Sequence, residues 1–516
     1  MKTLRWNGRA NGCASIGRWP AIMLISVGMQ TAALLPLQAA TPKKPITDDA
    51  ITLAVEGDLN IDEGVMPNFV DVTTSHGIVT LSGSVADLLA EERAVKIAES
   101  IRGVSAVVDR ITVTPVSRSD EDIRKDVQAA LHEDPATESS PVGVSVKDAV
   151  VTLTGSVGSW TEMQLAKWIV EGVKAVKEVR NDIQINYLTK RTDQEIAADI
   201  NDRLQWDIWV NGDLIKAAVK NGQATLSGAV GSAAEKRRAG GDAWVNGVIS
   251  VDDSGLKVEP WARDEGRRKY KYVIKSDDDI QRAVQASFRH DPRVSPFSPN
   301  VTVEDGVAKL SGTVGNLKAK AAAEQDARDT VGVVLVDNFL KVRPQINTDI
   351  EKNLRAALLW NPVLEGSQIE VAVINQAAYL SGTVNSVYQK DVAQDVATRT
   401  KGVVLVRNHL KIESEFAISY YDWPSYYGFG PYYEYGFYRP QPIKSDEQIK
   451  KDIERAFFWS PFVDSDDITV TVHDGVAILT GTIDGWIAYG EAQRDAYKGG
   501  ASSVINRLEV KKGAWF

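Results

Sequence analysis

The chain has 516 residues, 43% of them hydrophobic, and a formal net charge of −10 at pH 7. That length is too great for one hydrophobic core, so several domains are expected, and the hydrophobic content is that of a folded protein. The acidic balance argues against nucleic acid as a partner and against binding of anionic surfaces by the chain as a whole.

The N-terminal segment has the pattern of a signal peptide, residues 1–39. Four basic residues precede a short apolar run, and small residues follow it at a cleavage site after Ala39. We therefore expect cleavage and a periplasmic location; an uncleaved anchor is the alternative, but the run is short for a membrane span. Cys13 lies before the run, so lipid attachment and disulfides in the mature chain are not expected. The basic residues are Lys2, Arg5, Arg9 and Arg18, and the run extends from Ala21 to Leu35.

One motif, Leu-Ser/Thr-Gly-x-Val/Ile, occurs six times after the signal peptide. Its period of two places the leucine, the glycine and the last residue on one face of a strand, which we expect to be buried. The glycine would leave a notch there, and small residues four positions apart on the following helix would pack into it. The six glycines of this expected structural core are Gly83, Gly155, Gly228, Gly312, Gly382 and Gly481. The alanines eleven residues later are Ala94, Ala166, Ala239, Ala323, Ala393 and Ala492.

The residues around each motif predict the same order of elements. An amphipathic helix precedes it, and Thr192 and Ser445 open two of these helices as capping boxes, whereas the fifth copy lacks a cap. A short strand and a turn such as Asp305-Gly306 predict a hairpin, and a Val-rich strand ending in Asn or Asp follows the second helix. The predicted fold is therefore α/β (α+β): six tandem α-β-β-α-β sandwich modules of about 70 residues, with helices on one face of each short sheet. The modules, numbered one to six, are residues 45–115, 118–187, 191–259, 276–343, 347–413 and 444–512.

These residues resemble the BON domain, a family named for bacterial osmotically inducible protein Y and nodulation proteins. The resemblance rests on the Leu-Ser/Thr-Gly-x-Val core, the Ala-x-x-x-Ala helix and the Gly-Val-x-x-Val-x-Asn strand, as in Gly402 to Asn408. It covers nearly all of the mature chain and implies a non-enzymatic module of the cell envelope that binds phospholipids or mediates contacts between envelope components. A role in osmotic stress is implied by the resemblance alone. The chain departs from this pattern at two places: the third copy has Gly240-Gly241 within its second helix, and the second copy has Ala175 where other copies have glycine.

A basic aromatic linker, residues 260–275, separates modules three and four. Arg267, Arg268, Lys269 and Lys271 lie there among aromatic residues, and Lys236-Arg237-Arg238 is near in sequence. Basic side chains with interfacial aromatics suit a layer of phospholipid headgroups, so these four residues are the candidate lipid-binding residues. A solvated linker is the alternative.

A Tyr-rich linker, residues 414–443, separates modules five and six. Its aromatic residues, interrupted by glycines, Pro424 and Pro431, follow neither a helical nor a strand period. An interfacial membrane contact, a glycan-stacking surface and a self-association segment all fit this composition, as does a linker whose rings pack on adjacent modules.

No metal site, cofactor site or catalytic site is predicted. The five histidines occupy unlike positions in different copies, and no pair has the spacing of metal ligands. The acidic runs that begin at Asp48, Asp120 and Asp277 lie in the first turns of helices, where they complement the helix dipole.

Three classes of function remain. An enzymatic function would require an active-site cleft between modules. The leading interpretation is a non-catalytic envelope protein that binds phospholipid membranes or bridges envelope components, and the alternative is a periplasmic chaperone or adaptor for proteins.

Overall fold

The computed structural model describes residues 46–65, 69–138, 140–187, 189–259, 261–262, 275–412, 444–460, 463, 465–483, 486–501 and 503–510. Each module contributes two helices, one before and one after its hairpin, so that α1 and α2 belong to module one and α11 and α12 to module six. The helices are α1 Asp48–Ile61, α2 Leu88–Ser100, α3 Asp120–Glu133, α4 Trp160–Glu171, α5 Asp193–Trp206, α6 Ala233–Asp242, α7 Asp277–His290, α8 Leu317–Arg328, α9 Asn347–Trp360, α10 Val387–Arg399, α11 Asp446–Trp459 and α12 Trp486–Lys498.

Each module has a small sheet in which the motif strand is central. It pairs antiparallel with the strand before it and parallel with the strand after the second helix. The first three modules contain β1 Phe69–Ser75, β2 Ile78–Val85, β3 Ala106–Val113, β4 Val142–Lys147, β5 Val150–Val157, β6 Glu178–Asn181, β7 Gln184–Ile185, β8 Ile215–Lys220, β9 Gln223–Val230 and β10 Ser250–Val258. The last three contain β11 Asn300–Glu304, β12 Val307–Ser311, β13 Thr313–Val314, β14 Leu335–Asn338, β15 Lys341–Val342, β16 Gln368–Ile374, β17 Ala377–Val384, β18 Leu405–Asn408, β19 Lys411–Ile412, β20 Ile468–His473, β21 Val476–Ile483 and β22 Ser503–Val510. The predicted mixed α/β fold is confirmed.

An aspartate at the first position of the leading helix ties that helix to the hairpin turn. In module three the carboxylate of Asp193 accepts the N–H groups of Asn221 and Gly222 at 2.7 and 2.9 Å. Modules one, two, four and six make the same pair of bonds, and Asn347 makes one of them in module five. The acidic first turns therefore have a specific structural partner besides the helix dipole. Their partners are the turn residues of the predicted hairpins.

The hairpin turns and helix caps follow their local sequence. Asp305 and Gly306 have φ values of 51° and 73°, the left-handed conformation that a tight hairpin turn requires. Thr192 forms a complete capping box with Glu195, and the fifth leading helix has no side-chain cap, as expected. The predicted box at Ser445 is only half formed, because the side-chain amide of Gln448 donates to Asp452 instead.

The alanine stripe of the second helix is buried in every module, as predicted. The six alanines are at most 1% exposed, and they pack with the leading helix and the sheet. At the end of the third strand, Asn338 donates from its side-chain amide to the carbonyl of Lys320 at 3.0 Å and accepts from the N–H of Leu340. Asn181, Asn408 and Asn506 make equivalent bonds, so these asparagines fasten the second helix to the sheet.

The motif glycines have a different role from the predicted one. Gly83, Gly155, Gly228, Gly312 and Gly481 are exposed, Gly382 is half-buried, and their φ values lie between 108° and 131°. A β-carbon at Gly228 would lie 2.0 Å from the carbonyl oxygen of Leu214, at the start of the adjacent strand. The glycine is therefore needed for its backbone conformation and for the approach of the neighbouring strand, and the expected notch against the helix alanines is wrong. The nearest atoms around Gly155, Gly382 and Gly481 are likewise backbone atoms at the start of the adjacent strand or one residue before it.

Candidate functional site: the interfaces between modules

The modules associate in nested pairs, and one backbone contact recurs in all three. A residue two or three positions after the end of a second helix donates its N–H to the carbonyl of a tryptophan that ends the leading helix of the partner module. The bonds are Arg102 to Trp459 at 3.3 Å, Lys174 to Trp360 at 2.6 Å and Val331 to Trp206 at 2.9 Å. We name the pairs the outer pair (modules one and six), the middle pair (two and five) and the inner pair (three and four).

The tryptophan makes the two members of each pair unequal. Trp206, Trp360 and Trp459 pack against the cores of modules four, two and one respectively. The equivalent positions in these receiving modules four, two and one hold His290, Glu133 and Ile61, respectively. A tryptophan at one position in only three of six copies was the sequence signal for pairing, and it was missed because the copies were compared for what they share.

The inner pair is joined by several further bonds between its two modules. Beyond the tryptophan contact, Ile208 donates its N–H to the carbonyl of Asp329 at 2.9 Å, and the indole N–H of Trp209 donates to the Asp329 carboxylate at 2.7 Å. The guanidinium of Arg238 lies 2.5 Å from Asp207 and 3.3 Å from Asp329, so it joins carboxylates of both modules. The same contact contains a small apolar cluster of Ile208, Trp209, Ala234 and Val331.

In the middle and outer pairs, single ion pairs and one cation–π contact join the modules. In the middle pair, Lys174 lies 2.7 Å from Glu365 and Lys401 lies 2.6 Å from Glu138. In the outer pair, the ammonium of Lys498 is 3.8 Å from Asp58, and the guanidinium of Arg102 lies 5.5 Å from the ring centre of Phe458.

Contacts between the second helices connect one pair to another. Helices α8 and α10 join modules four and five, where Lys318 lies 2.8 Å from Asp395. Helices α2 and α6 join modules one and three through an ion pair of Glu99 with Arg237. The rings of Trp160 and Trp244 stack at 5.1 Å between modules two and three. The six modules therefore form one connected body.

Several carboxyl groups in these contacts have displaced pKa values. Burial, together with the nearby Asp207, raises the pKa of Asp242 to about 7. Burial raises the pKa of Asp495 to about 6, and burial with Asp109 and Glu171 nearby raises the pKa of Glu91 to about 7. Burial also opposes ionisation of Asp207, but Arg238, the side chain of Asp242 and the N–H of Trp209 together outweigh it and lower the pKa of that group. Burial and neighbouring arginines lower the pKa of His290 well below its usual value, which favours a neutral imidazole.

The candidate lipid-binding residues Arg267, Arg268, Lys269 and Lys271 lie outside the described residues, as do the signal peptide and the whole Tyr-rich linker. The basic run near them in sequence is described, and its charges are used within the protein. Lys236 faces Asp253 at 3.9 Å, and the two following arginines bond to acidic residues at module contacts. Lys275, at the end of the basic linker, lies 5.0 Å from the ring centre of Trp206.

Over the described part of the chain, no group of three or more His, Cys, Asp or Glu side chains is arranged to hold a metal ion. Within the same residues, none of the helices combines the length and apolar character needed to cross a bilayer.

Comparison with known proteins gives one family. The model of the BON domain matches residues 47–115, 119–187, 192–260, 276–344, 347–414 and 445–512. Osmotically-inducible protein Y of Escherichia coli (strain K12) is 32% identical over 144 residues, which are 27% of this chain and 72% of that protein. A solved structure of CdsD, a structural protein of the type III secretion system of Chlamydia trachomatis, is 16% identical. The match covers 45% of this chain and 98% of the CdsD chain, with a TM-score of 0.13, a value too low to carry a conclusion.

Proposed function

Because the chain belongs to the BON family through six successive modules, we propose that it is an exported, non-catalytic protein of the bacterial envelope that acts at phospholipid surfaces. The six-fold repetition of one small module is the observation that carries this proposal. Repeated modules in one connected body present several weak binding surfaces together, and linked weak sites bind more tightly than single ones. The osmotically inducible relative supports a role under osmotic stress.

The basic linker is the proposed membrane contact. It lies between two BON matches, whereas the basic residues of α6 are engaged in ion pairs with other parts of the protein. Removal of the signal peptide, with four basic and no acidic residues, would take the net charge from −10 to −14, so attraction to anionic lipid must be local. Each Lys or Arg near an anionic membrane contributes about 1 kcal/mol, and salt screens that attraction.

Co-sedimentation of the mature chain with liposomes of defined headgroups tests this contact. Replacement of Arg267, Arg268, Lys269 and Lys271 by serine should abolish most binding to anionic liposomes, and added salt should weaken binding of the parent chain. Neutral liposomes should bind weakly in every case.

A matched control removes four exposed lysines from modules two and three. The variant Lys147→Ser, Lys216→Ser, Lys220→Ser, Lys257→Ser loses the same charge from exposed positions and should retain binding. Equal binding by the linker variant and the parent would exclude the linker as the contact. Equal losses in both four-residue variants would mean that net charge, and not the linker, controls binding.

Export is a separate part of the proposal. We expect cleavage after Ala39 and recovery of the mature chain in the periplasmic fraction. N-terminal analysis of the recovered protein measures the cleavage site directly. Recovery of the uncleaved chain in carbonate-washed membranes would instead support an anchor.

An adaptor or chaperone role has its own support in the outer sheet faces. Ile374 and Leu405 of module five are 57% and 40% exposed, and they flank Ala377 in one row across the sheet. Exposed apolar rows of this kind suit weak contacts with other proteins. The change Ile374→Ser with Leu405→Ser should reduce suppression of aggregation of an unfolded envelope protein but leave liposome binding unchanged. A loss of liposome binding alone would argue against the adaptor role.

A further inference from the structure

One position of the module carries an aspartate in three copies and an aliphatic residue in the others. Fourteen residues after the motif glycine stand Asp242, Asp326 and Asp495 in modules three, four and six. The Oδ2 atom of each is buried and receives no hydrogen bond from an N–H or O–H group in the described part of the chain. An ionised carboxylate in such a place is strongly disfavoured, whereas a protonated carboxyl group is not. The equivalent residues of modules one, two and five are Ile97, Ile169 and Val396.

In the inner pair, each of these aspartates faces a second aspartate that follows the leading helix. Asp242 lies beside Asp207, which is bonded to Arg238 at 2.5 Å and accepts the N–H of Trp209 at 2.7 Å. Asp326 faces Asp291, which accepts the backbone N–H of Arg293 at 2.8 Å and also binds its guanidinium. Asp207 and Asp291 therefore each accept both a backbone N–H and a guanidinium. Asp242 accepts the guanidinium of Arg203 at 2.8 Å on one oxygen, but its Oδ2 atom and that of Asp326 receive no donor in the described part of the chain.

The charges around the two pairs do not balance without protons. The arginines Arg203, Arg238 and Arg293 face five aspartates, because Asp329 joins the two pairs at the same contact. Arg293 also faces Asp134 of module two and Lys318 of module four, and His290 beside Arg203 is held neutral by burial. Two carboxyl groups are left over, one in each pair. Two close carboxylates share one proton more readily than both ionise.

These groups lie where modules three and four meet. Arg238 bonds across the contact to Asp329, Arg203 of module three faces Asp326 of module four, and the N–H of Ile208 binds the carbonyl of Asp329. Separation of the modules would return the aspartates to water, where each ionises with an ordinary pKa of about 3.9.

We propose that the inner pair is a proton-dependent lock. The docked state holds one proton on the Asp207–Asp242 pair and one on the Asp291–Asp326 pair, and docking weakens as these two protons dissociate. The direction follows from linkage. Burial and Asp207 raise the pKa of docked Asp242 to about 7, and burial and Asp291 raise the pKa of docked Asp326. The docked state therefore binds more protons than the undocked state above about pH 4. Docking should be strongest in acid and should weaken progressively as the pH rises through about 7. The lock concerns contacts within the chain, so it does not depend on the proposed export or membrane binding.

Hydrogen exchange of the full mature chain tests the lock at single amides. The N–H groups of Ile208 and Val331 are bonded across the inner pair, and the N–H of Lys174 is bonded across the middle pair. After correction for intrinsic exchange, protection at Ile208 and Val331 should fall at least tenfold for each pH unit between pH 5 and 7, because each proton taken up on docking changes the equilibrium about tenfold per unit. Protection at Lys174 should change less than tenfold over the whole range. Equal changes at all three amides, or protection that rises with pH at Ile208 and Val331, would overturn the proposal.

Substitution of Asp242 and Asp326 tests whether these two side chains carry the protons. The variant Asp242→Asn with Asp326→Asn replaces each protonated carboxyl group by a neutral amide, so inner-pair protection should become nearly independent of pH between 5 and 7. The control variant Asp213→Asn with Asp278→Asn removes two exposed aspartates of the same modules and should keep the parent's slope. A parent-like slope in the first variant would exclude these two aspartates as the proton sites. A misfolded variant would leave the comparison of the three amides in the parent chain as the deciding result.

Discussion

The inner and middle pairs have the same geometry but different chemistry. In both, the carbonyl of a helix-ending tryptophan accepts the N–H that follows a second helix, at 2.9 Å in the inner pair and 2.6 Å in the middle pair. The inner pair places Asp242 and Asp326 beside this contact, whereas the middle pair has Ile169 and Val396 at the equivalent positions. A backbone contact and a half-buried tryptophan thus set how modules pair, and one side-chain position per module decides whether the pair responds to protons.

The outer pair lies between these two extremes. It has one such aspartate, Asp495, whose neighbour after the leading helix is Ser460 and not a second aspartate. Burial and, to a smaller extent, Asp58 of module one raise the pKa of Asp495, whereas Lys498 and the hydroxyl of Ser460 lower it. The resulting pKa of about 6 lies below the value of about 7 for Asp242. Docking of the outer pair should therefore depend on pH more weakly than docking of the inner pair.

The largest effect is expected from removal of the arginine that joins the inner modules. Arg238→Met leaves the buried carboxylates of Asp207 and Asp329 without their shared cation. Breaking a buried pair in this way costs about 3–5 kcal/mol. Urea unfolding followed by hydrogen exchange of inner-pair peptides measures the loss. A loss below about 1 kcal/mol would mean that the inner contact does not depend on this network.

A second substitution makes the middle pair resemble the inner one. Val396→Asp introduces a carboxyl group at a position that is 9% exposed within the core of module five. We expect a loss of roughly 2–4 kcal/mol at pH 8. Burial raises the pKa of such a group, so the loss should shrink as the pH falls to 5. Thermal melts at both pH values check the sign. Equal losses at pH 5 and pH 8 would contradict the comparison.

The two modules of the inner pair also offer a test of the motif glycines. Gly228 and Gly312 both have strongly positive φ, so Gly312→Ala should cost about 1–2 kcal/mol from backbone strain. A β-carbon at Gly228 would in addition collide with the Leu214 carbonyl, whereas the nearest atom at Gly312 is 3.7 Å away. Gly228→Ala should therefore cost at least about 1 kcal/mol more. Equal hydrogen-exchange losses in modules three and four would rule out the close strand contact as the cause.

The smallest effect is expected at the surface of the middle pair. Lys174 and Glu365 form an ion pair in which the glutamate side chain is 47% exposed. Lys174→Met should cost about 0–1 kcal/mol, because water already solvates the remaining carboxylate. Its backbone N–H still reaches Trp360, so the pair should remain docked, and the exchange protection of that amide should change little. Loss of docking would show that side-chain charge, and not the backbone contact, holds the middle pair.

The sequence predicted the elements of each module because those elements depend on local rules. Periodicity located the helices and strands, and Asp-Gly and Asn-Gly turns located the hairpins. The burial of the alanine stripe followed from its spacing. The reason for the motif glycines could not be read in the same way, since a period of two assigns a face but gives neither the sign of φ nor the distance to the next strand.

The sequence by itself determined six copies of one small fold, with helices, hairpins and a buried alanine stripe in each copy. Only the tertiary structure decided which modules pair. It also decided that Trp206, Trp360 and Trp459 pack against partner modules and that Asp242 and Asp326 lie at the same contact between modules. The physical reason is separation along the chain. Helices, turns and hairpins are fixed by residues a few positions apart, whereas module one meets module six across almost the whole mature chain. The tryptophans mark which modules insert a helix end into a partner, but only the fit of the folded surfaces specifies which partner each one meets.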